Sequence, residues 1–196
     1  DTGRRERLFS RLAPRSGSVV FDIVCLGTDS ECLEYSEVGR KTHLTGSRQF
    51  NMGMIHSMED GLPFCYRTYP GSVADVSTLD NIVSDLSSMG CSPVELIMDR
   101  GFFSFDNIAM MIRRESGFTV PVPARTNIHK TLISESVGEI LSPNNSDYLA
   151  GNVVRGYETF VRLTEDSFEN ADGDFDGAIR AVVFQDDARR TKEINT

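Results

Sequence analysis

Two apolar runs, Phe50–His56 and Leu62–Tyr69, flank Glu59-Asp60-Gly61, and this feature limits the possible folds more than any other. An Asp-Gly step between two such runs signals an antiparallel hairpin, because the tight turn needs a positive φ that glycine adopts without steric cost. One strand precedes the hairpin, over the β-branched run Val19–Leu26. After Pro70-Gly71 the period changes. Val76, Leu79, Val83 and Leu86 fall at helical spacing, with Asp75 as a cap and Gly90 as a stop. Val94–Met98 reads as a strand. Ser104 then stands at an N-cap position before the apolar stripe Phe105, Ile108, Ala109 and Ile112, which Gly117 should end. Phe118–Val122 predicts a last strand, stopped by Pro123. Three antiparallel strands followed by β-α-β units predict a mixed sheet with helices on its faces.

The remaining segments are less regular. Residues 1–17 predict a short helix with Leu8, Phe9 and Leu12 on its apolar edge, then a break. Residues 27–48 read as a loop, and residues 126–147 as polar and aperiodic. Residues 152–163 and 178–185 predict strands on either side of an acidic loop, Glu169–Gly177. The expected division is 1–18 as an N-terminal helix and linker, 19–125 as an α/β core, and 126–196 as an incomplete β-rich insertion.

Composition narrows the class. With 39% hydrophobic and 25% charged residues in 196, the chain can bury a core and is too apolar for a disordered segment. No apolar run approaches the ~18 residues of a membrane span. Asp1–Arg7 is polar and charged, which is not a secretory leader, and the first residue is not Met, so the expectation is a piece of a longer protein in the cytoplasm. A net charge of −9 works against a phosphate-tracking surface, although the only lysines are Lys41, Lys130 and Lys192 and the remaining positive charge is arginine, the better bidentate phosphate binder. Cys25, Cys32, Cys65 and Cys91 form no Cys-x-x-Cys pair, which disfavours zinc and predicts buried or partly buried thiols in a reducing compartment.

Two acidic residues stand where strands should be buried. Asp22 interrupts Val19–Leu26, and Asp99 follows Val94–Met98 with Arg100-Gly101 after it. A buried carboxylate needs a cation, strong donors or an open edge, and the C-terminal ends of strands are where α/β folds place functional groups. One explanation is structural: Asp22 pairs with Arg100, and Asp99 caps the following helix. The other is a shared divalent cation, since hard cations prefer carboxylate oxygens.

The order Phe21-Asp22-Ile23, Asn51-Met52-Gly53, Glu59-Asp60-Gly61-Leu62-Pro63, Tyr69-Pro70-Gly71-Ser72-Val73-Ala74-Asp75 with Thr78-Leu79, and Met98-Asp99-Arg100-Gly101-Phe102-Phe103-Ser104 resembles the DDE transposases of prokaryotic insertion sequences over residues 19–125. The Pro70-Gly71 to Asp75 turn and the Asp99 to Ser104 step carry most of that resemblance. It implies a ribonuclease-H-like fold, Asp22 and Asp99 as the first and second catalytic acids, and a pair of Mg²⁺ or Mn²⁺ ions between them. It also implies DNA as partner (element ends and target), a homodimer in the synaptic complex, and a location at the prokaryotic nucleoid. Arg100, next to the second acid, reads either as a residue that holds the site or touches a DNA phosphate, or as a salt bridge within the sheet. The family's third acid is a Glu in a Tyr-x-x-Arg-x-x-x-Glu pattern. Here no Tyr is followed three residues later by Arg: Tyr148 is followed by Gly151 and Tyr157 by Phe160. The third Glu is therefore expected outside the chain, with Glu158 and Glu165 as the first candidates if it lies within.

Other motifs carry less. Asp172–Gly177 begins like an EF-hand loop, but Val183 occupies the position of the required bidentate Glu. No His-Glu-x-x-His, Gly-x-x-x-x-Gly-Lys or Gly-x-Ser-x-Gly motif occurs. Three functions compete: a transposase catalytic core, a truncated copy serving as a binding or assembly module, and another Mg²⁺-dependent nuclease on the same fold.

Overall fold

A computed structural model describes residues 2–14, 16–30, 32–38, 47–91, 95–124, 126–149, 152–163 and 177–186. The chain divides into two compact units, Asp1–Pro121 and Val122–Thr196.

The first unit is organised on β1 (Ser18–Thr28). It pairs antiparallel with β3 (Arg48–Ser57), from Val19↔Ser57 to Thr28↔Arg48, and parallel with β5 (Glu95–Met98), from Ser18↔Glu95 to Phe21↔Met98. β4 (Pro63–Pro70) pairs antiparallel with the outer side of β3, and β6 (Gly117–Thr119) pairs parallel with β5. Across the sheet the order is thus β4-β3-β1-β5-β6, with the two-residue β2 (Glu37–Val38) against the Arg48 end of β3. Three antiparallel strands followed by two parallel ones are compatible with a ribonuclease-H-like sheet. The hairpin closes as expected. Gly61 takes φ 65°, its N–H bonds the Ser57 carbonyl at 2.9 Å, and the Ser57 N–H bonds the Leu62 carbonyl at 3.0 Å.

One face of the sheet forms the core. Val19, Phe21, Ile55 and Leu96 are at most 1% exposed, and the Phe21 and Phe102 ring centroids lie 4.9 Å apart. A 3-10 turn over Asp75–Thr78 leads into α2 (Leu79–Ser88), which buries Leu79, Ile82, Val83 and Leu86 and stops before Gly90 at φ 76°. The side chain of Asp75 lies outside the described residues. Arg67 on β4 pairs with Asp85 on α2 at 2.9 Å. α3 (Phe105–Arg113) starts at Ser104, whose Oγ accepts from the Asn107 N–H at 3.2 Å. Its stop differs from expectation. Glu115, not Gly117, takes the left-handed conformation at φ 52°, and Gly117 already opens β6. The short connection leaves no room for a later cap.

α1 (Thr2–Leu12) forms as predicted and lies against β4. Its expected apolar edge shrinks to Phe9, which meets Tyr66 edge-on at 5.5 Å, while Leu8 and Leu12 are more than half exposed. A helix on an edge strand is one way of blunting that edge against pairing with other chains.

The second unit corrects the reading of residues 126–147. α4 (Asn127–Glu139) begins at Thr126, whose Oγ1 accepts from the His129 N–H at 3.3 Å. Ile128, Leu132, Ser136 and Ile140 are buried at a strict spacing of four. A serine within that stripe, and apolar Ile133, Val137 and Leu141 outside it, blur the period. β7 (Ser146–Leu149), β8 (Asn152–Leu163) and β9 (Gly177–Asp186) then form an antiparallel sheet in that order. The acidic loop, the EF-hand-like Asp172–Asp176 and Glu165 lie outside the described residues.

All four cysteines are free. Cys65 and Cys91 are buried and Cys25 is half-buried, but Cys32 is exposed, against the expectation of burial. Burial pushes the Cys65 thiol up to about 11, and the Tyr69 phenol up to about 12. Both groups hold their protons more tightly when folded. Their contribution is complete below the unfolded thiol range near pH 8.5 and is lost as pH rises toward these raised values. The melting temperature should therefore hold from pH 7 to about 8.5 and fall progressively above it. A flat profile to pH 11 would contradict the burial of both groups.

Candidate metal and phosphate site

The β1–β5 register ends at Phe21↔Met98, and the residue that follows each is an aspartate, Asp22 within β1 and Asp99 just past the end of β5. Asp99 keeps an extended backbone at φ −77°, ψ 168°. Side chains alternate along a strand, and Phe21 and Met98 both point into the core. Because the Asp99 backbone is still extended, continuing the register by one residue brings Asp99 next to Asp22 on the opposite face, at about the 4.8 Å spacing of neighbouring strands. Both are exposed.

Each carboxylate is partly committed. Asp22 Oδ1 accepts from the Ile23 N–H at 2.8 Å. Asp99 Oδ1 accepts from the Gly101 N–H and so caps the 3-10 turn Arg100–Phe102. The capping role considered for Asp99 is therefore present, and it leaves Oδ2 without a protein donor among the described residues. A Cβ on residue 101 would stand 2.8 Å from Asp99 Oδ1, so glycine there keeps the carboxylate in place. The alternative pairing of Asp22 with Arg100 does not occur: Arg100 is exposed and forms no ion pair with Asp22.

The donor set can be tested against a divalent cation. Mg²⁺ commonly takes one or two carboxylates and completes its octahedron with water and substrate phosphate. Two adjacent, solvent-facing aspartates suit that chemistry. Among the described residues no group of three or more His, Cys, Asp or Glu could hold a metal. Of the candidates for a third acid, Glu158 is exposed on β8 of the second unit, 3.9 Å from Arg180, and Glu165 lies outside the described residues.

Sequence reasoning missed the supports. Asn107 is buried and its Nδ2 donates to the Phe102 carbonyl at 2.9 Å, fixing the turn that presents Asp99. Asn51 Nδ2 donates to the Val73 carbonyl at 3.0 Å, pinning the segment after Pro70-Gly71 to β3. Their signal was weak: each is a polar residue inside an otherwise apolar pattern.

No family model matches the chain, and no curated protein does. Among solved structures it is similar to a chain of the piggyBac transposase synaptic complex with hairpin DNA, seen by cryo-EM, at 14% identity and a TM-score of 0.44. That likeness covers 74% of this chain and 30% of the other, and it is too loose to bear on function. Among the described residues no helix is long and apolar enough to cross a membrane.

Proposed function

We propose that the chain carries the catalytic core of a metal-dependent DNA transposase of the insertion-sequence type, with residues 19–125 as the ribonuclease-H-like core and 126–196 as an insertion. The observation that supports this reading is the β1–β5 register, which ends at Phe21↔Met98 with an exposed aspartate next after each, Asp22 and Asp99. The motifs around Pro70-Gly71 and Asp99–Ser104 support it. Asp22 and Asp99 would hold Mg²⁺ or Mn²⁺ through their free oxygens. The bound ion would polarise a DNA phosphate and lower the pKa of the attacking water or 3′-hydroxyl. The protein's own part is positioning. Gly101 N–H fixes the Asp99 carboxylate, Asn107 fixes the turn behind it, and Arg100 stands beside the site to meet a phosphate oxygen. Element-end and target DNA are the substrates, acted on by a homodimer at the nucleoid.

A second reading, a folded assembly module without chemistry, draws on the two-acid set among the described residues. Mn²⁺ titration followed by thermal unfolding bears on both. Mn²⁺ should raise the melting temperature of the wild type, and Asp22→Asn or Asp99→Asn should each remove that rise. Without metal both variants should melt at or above the wild type, because a like-charge neighbour is gone. An undiminished Mn²⁺ effect in either variant would refute the metal-binding role. With a chain that includes a third acid, both substitutions should also abolish nicking of element-end DNA on denaturing gels, and retained nicking would refute the catalytic roles.

A further inference from the structure

The sheet edges of this chain are closed in different ways. In the first unit α1 lies against the edge strand β4, and the edge strand β6 is three residues long. In the second unit β7 has four residues. β9 (Gly177–Asp186) has ten, against about five or six in an ordinary strand. Among the described residues it pairs with β8 on one side and with no strand on the other. Its ladder with β8 runs without a bulge from Leu163↔Gly177 to Val154↔Asp186, and it contains neither Pro nor Lys. Short length, bulges, Pro and Lys are common means of keeping an edge from pairing, because alternate N–H and C=O groups on such a strand point outward. β9 uses none of them.

The two faces of β9 are unlike. α4 lies against the strand, and Ile179, Ala181 and Val183 are half-buried. On the other face Val182 is 53% exposed and Phe184 68%, and Phe160 on β8 is 73% exposed. Phe184 stands opposite Gly156, which offers it no side chain, whereas Phe160 stands opposite Arg180. The Arg180 Nε lies 3.9 Å from Glu158 Oε1, and 65% of its side chain is exposed. Apolar groups thus line the open face up to the unpaired edge.

We propose that β9 pairs antiparallel with β9 of a second copy, about a two-fold axis at Val182, and joins two three-stranded sheets into one of six strands. In this register β9 is complementary to its own reverse. Val182 meets Val182, Ala181 meets Val183 on the covered face, and Arg180 meets Phe184 on the open face, twice by symmetry. Each Arg180 then lies in a row between Phe160 of its own chain and Phe184 of the other, and a guanidinium over an aromatic ring is favourable. No like charges come opposite one another, and Phe184 gains the neighbour that Gly156 does not supply. Residues 178–186 of each copy overlap. The interface serves the homodimer named above and needs neither metal nor DNA.

The test is analytical ultracentrifugation of the whole chain without metal or DNA. The mass should rise from one chain to two between about 1 and 200 µM, as mass action requires. Over that range the amides of residues 178–186 should exchange more slowly with deuterium. Val182→Lys and Val182→Glu each set like charges opposite one another at an exposed position, and each should weaken self-association about tenfold or more. An equimolar mixture of the two should associate again, because Lys then meets Glu across the axis. Circular dichroism reports that each variant is folded, and if either is not, exchange in the wild type decides. A wild type that stays monomeric, or exchange in 178–186 that ignores concentration, would overturn the proposal. So would wild-type association in either folded variant, or a mixture that stays monomeric. Asp22→Asn with Asp99→Asn keeps the two readings apart. That variant should associate like the wild type while losing its response to Mn²⁺, so either the edge pairing or the metal site can fail alone.

Discussion

Phe21→Ala should destabilise the protein by about 3–5 kcal/mol, the usual cost of deleting a fully buried aromatic ring. Phe21 is completely buried, its ring stacks against Phe102 in tilted geometry, and the neighbouring strand has been cleared for it. Gly53 lies beneath the ring, and a Cβ there would approach Phe21 Cε2 to 2.8 Å. An alanine at position 21 leaves a void bordered by glycine on one side, which cannot relax inward to fill it. Against a total stability of about 5–15 kcal/mol for an ordinary domain, that loss is a large fraction. Urea unfolding monitored by circular dichroism gives the number. A loss below about 1 kcal/mol would mean that the packing of β1 on β3 is wrong.

Gly71→Ala should cost about 3 kcal/mol or more, at the upper end for overpacking. Here the obstacle is main chain. A Cβ on residue 71 would lie 2.2 Å from the Gln49 carbonyl oxygen and 2.9 Å from its carbonyl carbon. Gln49 is fully buried and lies within β3's pairing with β1, so it cannot retreat without breaking the ladder. The Gly71 N–H also reaches the Tyr35 carbonyl at 3.3 Å, which holds the turn close to the sheet. The variant's urea midpoint, compared with the wild type, checks this directly. An unchanged midpoint would show that the Pro70-Gly71 turn stands further from β3.

Much of the first unit is legible in the sequence because its signals are local. The Asp60-Gly61 turn, the Ser104 cap and the apolar stripe of α2 each depend on a few adjacent residues, and each element forms within a few positions of expectation. The end of α3 falls elsewhere because a glutamate accepts a left-handed conformation, which sequence alone assigns to the nearby glycine. α4 escapes a periodicity reading because its buried stripe includes Ser136 while three apolar residues face outward. The adjacency of Asp22 and Asp99 is an expectation carried by resemblance. It becomes geometry only through the β1–β5 register, and register is a long-range property that no local pattern contains. The capping of the turn by Asp99 is foreseeable, but its dependence on the absence of a side chain at position 101 is not.

Phe21 and Asp22 are consecutive residues with unequal stakes in the fold. The ring is tied to folding, whereas the carboxylate projects from the opposite face and, among the described residues, accepts only from the adjacent N–H. Loss of the acid would therefore leave a folded protein, and cellular quality control would have nothing to remove. Abundance in a cell thus reports on the ring at position 21 and is silent on the carboxylate beside it.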